Sequence, residues 1–524
     1  MALAPLAIVV PLMVAAALAG AGRMARRWAS DVLVAGAAVT AAVLCAMLVH
    51  RSGHGLVVTW LGNWTPRHGI AFGISLAVDP IGAELALFVA VLTLVALLCA
   101  RHLLEDARRL FHVLLAVFLA ALIGFSLSGD LFNMFVFLEL MGVSAYALCG
   151  YRADARAPLE GSLNFAITNS LGALFVLTGI ALIYAHTGTL NLAQIGHALD
   201  HAAPSASVCV AFALIVAGFL TKAGAVPFHF WLADAYAVAP TPVCILFAGA
   251  LSEIGLYGIA RVYWTGFAGA FGDHAEALRA ILVTIGVLTA LTGSVMALVQ
   301  RHLRRMLAFA TVTYVGLFLC GIGLLTAQGL AGAAVYVVGD GFAKAALFVC
   351  LAILQHRRGS VDEARLQRGC RDMPYTGALF VLGALALVAL PPFGGFLGKG
   401  MIVEAAHHVG YGWLTVVLGL CSALTAGAVL RAGARIFLAW GERAEPDRTS
   451  EVDRAEEGDE IEAPHDRTPP ELFLGATVLL VAALLVGVVP GVADFAQRAA
   501  LRFTDHAGYA RSVLHGAVVP LHGD

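Results

Sequence analysis

The chain has 524 residues, 60% hydrophobic and only 13% charged, with a mean hydropathy of +0.87. So few polar side chains cannot cover a water-facing surface, which excludes a soluble fold and calls for lipid as the solvent. A formal net charge of −2 leaves no basic footprint for nucleic acid.

In chain order, runs of roughly twenty apolar residues recur along nearly the whole length. Each is long enough to cross about 30 Å of hydrocarbon as a helix, and together they predict about fourteen spans in an all-α polytopic membrane protein. The first run, near residues 3–22, leads through "RMARRW" into another span without a small-residue cleavage site. It therefore reads as a first helix that is retained. Arginines cluster after alternate spans: Arg23, Arg26 and Arg27 after the first, Arg101, Arg108 and Arg109 after the third, Arg152 and Arg156 after the fifth. Arg301, Arg304 and Arg305 follow the ninth, and Arg357, Arg358, Arg365, Arg368 and Arg371 the eleventh. Loops between them, such as 128–130 and 185–205, carry no arginine or lysine. The positive-inside rule then puts both termini on the non-cytoplasmic side of a bacterial plasma membrane. Segment 441–470 is acidic and helix-breaking at both ends, and reads as a disordered cytoplasmic loop before the last span.

The nine cysteines are scattered singly, with no CxxC and no Cys/His cluster, which argues against iron–sulfur, zinc or disulfide chemistry. No GxGxxG, GxxxxGK[ST] or nucleophile elbow is present, so nucleotide binding and hydrolysis are not expected of this chain. No cofactor and no metal are expected.

Among the 32 basic residues only Lys222, Lys344 and Lys399 are lysine, and each sits inside an apolar run. A composition bias would explain arginine on the surface, but not why every exception is intramembrane. There a charge costs at least about 2.5–3.5 kcal/mol at a helix centre. Arginine cannot release its proton in a protein, whereas a desolvated lysine can be tuned to do so. Three such lysines suggest three protonatable stations. Carboxylates accompany them: Glu139 in "LFNMFVFLELMGVSAYALCGY", Glu253 in "LFAGALSEIGLYGIAR", and Asp340 four residues before Lys344. The i,i+4 spacing puts Asp340 and Lys344 on one helix face. A buried pair that only locks helix packing is the plainer alternative for each acid; intramembrane ionisable groups more often mark a pathway.

An internal echo adds to this. "GFLTKAG" around Lys222 returns as "GFLGKGM" around Lys399, with Pro227 after the first copy and Pro391 and Pro392 before the second. Paired segments interrupted by proline and glycine point to a transporter built from structural repeats, with unwound backbone lining a polar cavity.

These stretches resemble the antiporter-like subunits shared by Mrp-type multisubunit cation/proton antiporters, respiratory complex I and membrane-bound hydrogenases. The resemblance runs from about residue 70 to 440. It is carried by "FVFLELMGVSAY" with Glu139 and by "KAGAVPFHFWLADAYAVAPTPV" with Lys222, Pro227, His229, Trp231, Asp234 and Pro240. "QRHLRRMLAFATVTYVG", "GDGFAKAALF" with Lys344 and "LPPFGGFLGKGMI" with Pro392 and Lys399 complete it. "YAHTGTLNLAQIG", the acid before Lys344 and "LPPFGGFLGK" are most similar to the D-type member of the antiporter set.

The resemblance implies fourteen helices, with helices four to eight (110–265) and nine to thirteen (276–440) as inverted five-helix repeats and helices seven and twelve broken. Residues 1–109 would hold helices one to three, 441–470 the acidic loop, and 471–524 the last helix and a short tail. It implies that Glu139 pairs with Lys222 and controls its proton affinity. The proton would then pass through Glu253, His229 and waters to Lys344 and on to Lys399, with Asp340, Asp234, Pro227 and Pro392 in support. It further implies other membrane subunits as partners, protons and a monovalent cation such as Na+ as cargo, and the lipid bilayer around the chain. The alternative is a proton-pumping membrane-arm subunit of a complex I-like or hydrogenase-like redox enzyme; a degenerate scaffold copy is a third. Two departures stand out: Glu253 occupies a place where the family usually has lysine, and His302 one where an acid is common. With Glu253 beside Lys222, the central relay would run on carboxylate chemistry or conduct poorly.

Overall fold

The structure is a computed structural model that describes residues 3–22, 26–66, 71–104, 109–152, 154–200, 204–441 and 465–514. Most of the acidic segment expected at 441–470 lies outside these residues, as do Arg23 and Arg108.

Among the described residues, thirteen helices are long and apolar enough to cross a membrane. The first five spans are α1 Leu3–Gly20, α2 Arg27–Ser52, α3 Pro80–Leu103, α4 Arg109–Leu127 and α5 Leu131–Cys149. Between α2 and α3 a short hairpin forms, β1 Val57–Trp60 antiparallel to β2 Ser75–Val78, with Val57 opposite Val78. A long α6, Arg156–Thr187, and a short α7, Leu192–Leu199, follow. The seventh run folds as α8 Ala206–Ala223 and, after a break, α9 Phe230–Val238.

The eighth span, Thr241–Phe267, is buried except at Trp264. It comprises α10 Thr241–Leu246, a π-helical turn Phe247–Leu251, α11 Ser252–Val262 and a second π-helical turn Tyr263–Phe267. Next come α12 Ala275–Val299, α13 Leu303–Gly323, which is buried except at Arg305, and α14 Ala327–Arg358. A single turn, α15 Glu363–Leu366, precedes α16 Pro374–Leu387 and α17 Gly394–His408. At 1.5 Å per residue these two helices are about 21 and 22 Å long, each too short for a bilayer that their sum could span. The twelfth run thus folds as two short helices, and counting α16 and α17 as one passage gives fourteen. The chain continues through α18 Leu414–Phe437 and α19 Pro470–Val488. Apolar side chains such as Val39, Ile167, Leu174 and Val416 face outward on the peripheral helices, where a soluble protein would place charge.

The break after α8 shows how an interrupted helix is tolerated in an apolar setting, where each freed backbone group needs a partner. Gly224 closes α8 in the left-handed conformation (φ 72°), which glycine adopts without steric cost. The Trp231 indole N–H donates to the Thr221 carbonyl in the last turn at 3.0 Å, and the Thr289 hydroxyl accepts from Val226 N–H at 3.1 Å. Each break carries a cis X–Pro bond, Val226–Pro227 and Pro391–Pro392.

The end of the chain differs from the expected short tail. After α19 it forms two further helices, α20 Val492–Phe503 and α21 His506–Leu514. They pack on the hairpin side: the Arg502 guanidinium donates to Ser52 O at 2.9 Å and also to Gly53 O, and His506 reaches Trp264 and Asp200. Apolar and charged residues alternate through "VADFAQRAALRF" at helical spacing, so the segment is amphipathic and too polar for the run-length criterion that marks spans.

Candidate functional site

The strongest charge cluster lies where three central helices meet. Lys344, in the middle of α14, is fully buried, and its Nζ lies 2.8 Å from Asp340 Oδ2 and 3.1 Å from Glu253 Oε1. The Asp340–Lys344 spacing brings both to one face of α14, as expected from the sequence. Glu253 comes from the first turn of α11, two residues after a π-helical turn. Such turns widen the helix locally and recur at functional sites. The Tyr314 and Phe318 rings stand 6.0 and 5.9 Å from Lys344 Nζ, within cation–π range. Two carboxylates thus face one ammonium, and Glu253 Oε2 and Asp340 Oδ1 have no hydrogen-bond partner among the described residues. Acceptor capacity remains for a further proton beyond those of the ammonium.

This arrangement corrects one expectation. Glu253 is not ion-paired with Lys222; its partner is Lys344 on α14.

Lys222 sits in the last turn of α8, only 3% exposed. Its Nζ lies 5.8 Å from the centroids of both Tyr146 and Phe165, and Phe165 is stacked on Trp231 at 4.3 Å. Glu139, half-buried on α5, is the carboxylate whose charge acts on Lys222. The two are coupled through space without forming an ion pair within 4.0 Å, so the close pairing expected from the resemblance is not present in this structure. The two lysine stations are neighbours through helix packing. Gly255, two residues past Glu253, meets the α8 backbone so closely that a Cβ there would lie 2.6 Å from Phe219 O and 2.8 Å from Ala223 N. Only glycine allows this approach, which holds the Lys222 end of α8 beside α11.

Lys399 is half-buried on α17, and its ammonium donates to Val388 O at 3.3 Å. Val388 caps α16, so this amine satisfies a carbonyl freed by the break. His229 starts α9 at the other break. It is 8% exposed, its Nδ1 lacks a hydrogen-bond partner among the described residues, and its ring lies 4.3 Å from that of Phe230. Pro227 and Pro392 are exposed at the two breaks. Asp234 lies farther along α9, where its charged neighbours are Arg305 and Glu160, not the lysines. His302 caps α13 by accepting from Arg305 N–H at 3.4 Å.

Sequence reasoning passed over a second polar group. Arg261, 1% exposed at the end of α11, is ion-paired with Asp79, which caps α3. Its guanidinium also donates to Tyr257 Oη at 2.8 Å and lies over Phe503 at 4.1 Å from the ring centroid. Glu84, five residues beyond Asp79 in "DPIGAELALF", was missed although it carried the signal that flagged Glu139: an acid inside an apolar run.

With this geometry in view, comparison with known proteins gives a consistent answer. The membrane family described as NADH:quinone oxidoreductase/Mrp antiporter matches residues 128–425. The chain belongs to this family. It is 28% identical over 464 residues to the D subunit of the Na(+)/H(+) antiporter of Bacillus subtilis (strain 168), covering 88% of this chain and 89% of that protein. It is 30% identical over 448 residues to the N subunit of the NADH-quinone oxidoreductase of Desulforudis audaxviator (strain MP104C), covering 83% and 86%. Its fold superposes on one chain of the Mrp complex from Dietzia sp. DQ12-45-1b with a TM-score of 0.85 and 27% identity, covering 98% of this chain and 100% of that one. Family members of both kinds are subunits of larger membrane complexes.

Proposed function

We propose that this chain is the D-type, proton-conducting member of a multisubunit antiporter that exchanges protons for Na+ or another monovalent cation. The observation that carries the reading is Lys344 held between Asp340 and Glu253, with Lys222 in the last turn of α8 before one break and Lys399 reaching back from α17 to the Val388 carbonyl at the other. Lysine can give up its proton in a desolvated site and arginine cannot, so the three stations suit conduction better than scaffolding.

Glu139 sets the charge felt by Lys222 across the Tyr146 and Phe165 rings. A proton leaving Lys222 moves past the unwound His229 turn to the Glu253–Lys344–Asp340 cluster, where two acceptors share it with one amine, and then to Lys399. The surrounding helices sit in a bacterial plasma membrane with both termini on the non-cytoplasmic side, beside other membrane subunits. The inverted-repeat relation between residues 110–265 and 276–440 belongs to the same proposal.

The second reading, a proton-pumping membrane-arm subunit of a redox complex, draws on the likeness to the N subunit of an NADH-quinone oxidoreductase. Purifying the intact complex separates the two: small membrane subunits alone support the antiporter, and flavin or iron–sulfur subunits support the redox enzyme. The mechanism is tested with Lys222→Ala and Glu139→Ala in everted vesicles carrying the assembled complex. Wild-type exchange in both variants would sink it.

A further inference from the structure

Between α3, α11 and α14 lies a cavity of about 60 Å³, lined by Glu84, Glu253, Tyr257, Val337 and Phe503 among others. A water needs roughly 10–15 Å³ by this measure, so the space accommodates on the order of a few waters. Apart from the two carboxylates and the Tyr257 phenol, the lining is apolar. Glu253 is 2% exposed and belongs to this lining, and its Oε2 has no hydrogen-bond partner among the described residues. Glu84 is half-buried and feels the charge of Asp79.

Helix geometry orders these groups by depth. Asp79 and Arg261 are ion-paired, so they lie at one level, just inside the hairpin side. From Asp79 the chain runs inward along α3, and Glu84 is five residues on, about 7.5 Å deeper at 1.5 Å per residue. Along α11 Glu253 precedes Arg261 by eight residues, about 12 Å deeper by the same rise. Glu84 therefore stands between the Arg261 level and the Glu253–Lys344–Asp340 cluster. Above that level a surface pocket of about 180 Å³ is lined by Asp79, Arg261, Phe503, Asp505 and Tyr509. Phe503 borders both spaces, with Arg261 stacked on it.

We propose that Glu84 is a further proton-carrying residue, which passes protons through water in this cavity between the hairpin face and Glu253, behind a closure formed by Arg261 and Phe503. A proton arriving from the hairpin side adds to the Glu84 carboxylate, then leaves through water to Glu253 Oε2; the reverse sequence releases it. The broken helices do not take part in this step. The route gives the Lys344 cluster an opening of its own, and it makes α20 part of the conduction machinery. The inference rests on the proton-conducting reading above.

The test uses the assembled complex in everted vesicles, with Glu84→Gln, Glu84→Asp and Lys222→Ala compared by cation-driven recovery of a pH-sensitive dye. Glu84→Gln keeps the shape and hydrogen bonding but cannot carry a proton, and its exchange rate is expected to fall at least about ten-fold, while Glu84→Asp keeps most of the rate. Wild-type exchange in Glu84→Gln alongside loss in Lys222→Ala overturns this inference and leaves the antiporter reading standing. Wild-type exchange in both overturns the reading itself. A second measurement is independent of transport and of how the Gln variant folds: dicyclohexylcarbodiimide reacts with protonated carboxyl groups in apolar surroundings. In the wild-type complex Glu84 is expected to carry the label by peptide mass spectrometry, and a Glu84 that stays unlabelled while the reagent modifies other membrane carboxyls overturns the proposal.

Discussion

Lys344 and Glu253, 91 residues apart in sequence, are joined at 3.1 Å across two helices, and this pairing changes what Glu253 is for. Beside Lys222 it would have replaced an amine in a lysine relay. Beside Lys344 it supplies half of the negative charge that makes a fully buried ammonium tolerable, with Asp340 supplying the rest.

Placing lysine at this position should therefore harm the protein. Glu253→Lys places a second ammonium against Lys344 with only Asp340 to neutralise both. Removing one partner from a buried pair already costs about 3–5 kcal/mol, and adding a like charge exceeds that. The expected outcome is loss of the chain from the purified complex, or exchange reduced at least about ten-fold where assembly survives. A faster exchange in Glu253→Lys would show that Glu253 detunes the relay. The milder Glu253→Gln leaves the Asp340–Lys344 pair, so assembly should persist while exchange falls.

The buried charges were legible in the sequence, because an ionisable residue inside an apolar run is conspicuous by composition alone. Lys222, Lys344, Lys399, Glu139 and Glu253 were found that way, and the Asp340–Lys344 pair followed from helix periodicity. The breaks at Gly224 and before Gly394 were legible from proline and glycine. What could not be read is which helix faces which: the partner of Glu253 depends on the π-helical turn before it and on the Gly255 contact with α8, and neither leaves a one-dimensional trace. Asp79 and Arg261, 182 residues apart, are likewise invisible as a pair. The amphipathic α20 and α21 escaped because a search for long apolar runs discards helices with a charged face.

Lys222→Arg separates charge from proton release. Arginine keeps the cation over Tyr146 and Phe165 but does not deprotonate in a protein. The variant should assemble normally and lose exchange by on the order of 10²-fold, measured in vesicles against an immunoblot of the complex. Wild-type exchange in Lys222→Arg would mean that the ammonium acts only as a fixed charge.

Arg261 should behave as a packing and closing group. Arg261→Met removes the cation and leaves Asp79 buried and unpaired, which costs about 3–5 kcal/mol, whereas Asp79→Asn combined with Arg261→Met removes both charges and should recover most of the lost thermal stability. Fluorescence-detected size-exclusion after heating compares the single and double variants with wild type. Equal midpoints for Arg261→Met and wild type would show that the pair contributes nothing to holding α20 in place.

His506 gives the docking of the C-terminal helices a defined pH dependence. Its Nδ1 faces Trp264 O at 3.0 Å and its Nε2 faces Asp200 Oδ2 at 2.9 Å. Both partners are acceptors, so both ring nitrogens must donate, and the geometry selects the imidazolium. The hydrogen bond to Asp200 accordingly raises the pKa of His506 above 6.5. A group whose folded pKa lies above its unfolded value contributes stability that is fully present below the unfolded pKa and fades as pH climbs through the folded one. The advantage of wild type over His506→Gln in holding α20 and α21 should be largest below about pH 6.5 and shrink at higher pH. Hydrogen exchange of peptides from 492–514, followed as a function of pH in both proteins, measures it. Protection that differs by the same factor at every pH would mean that the imidazole docks in its neutral form.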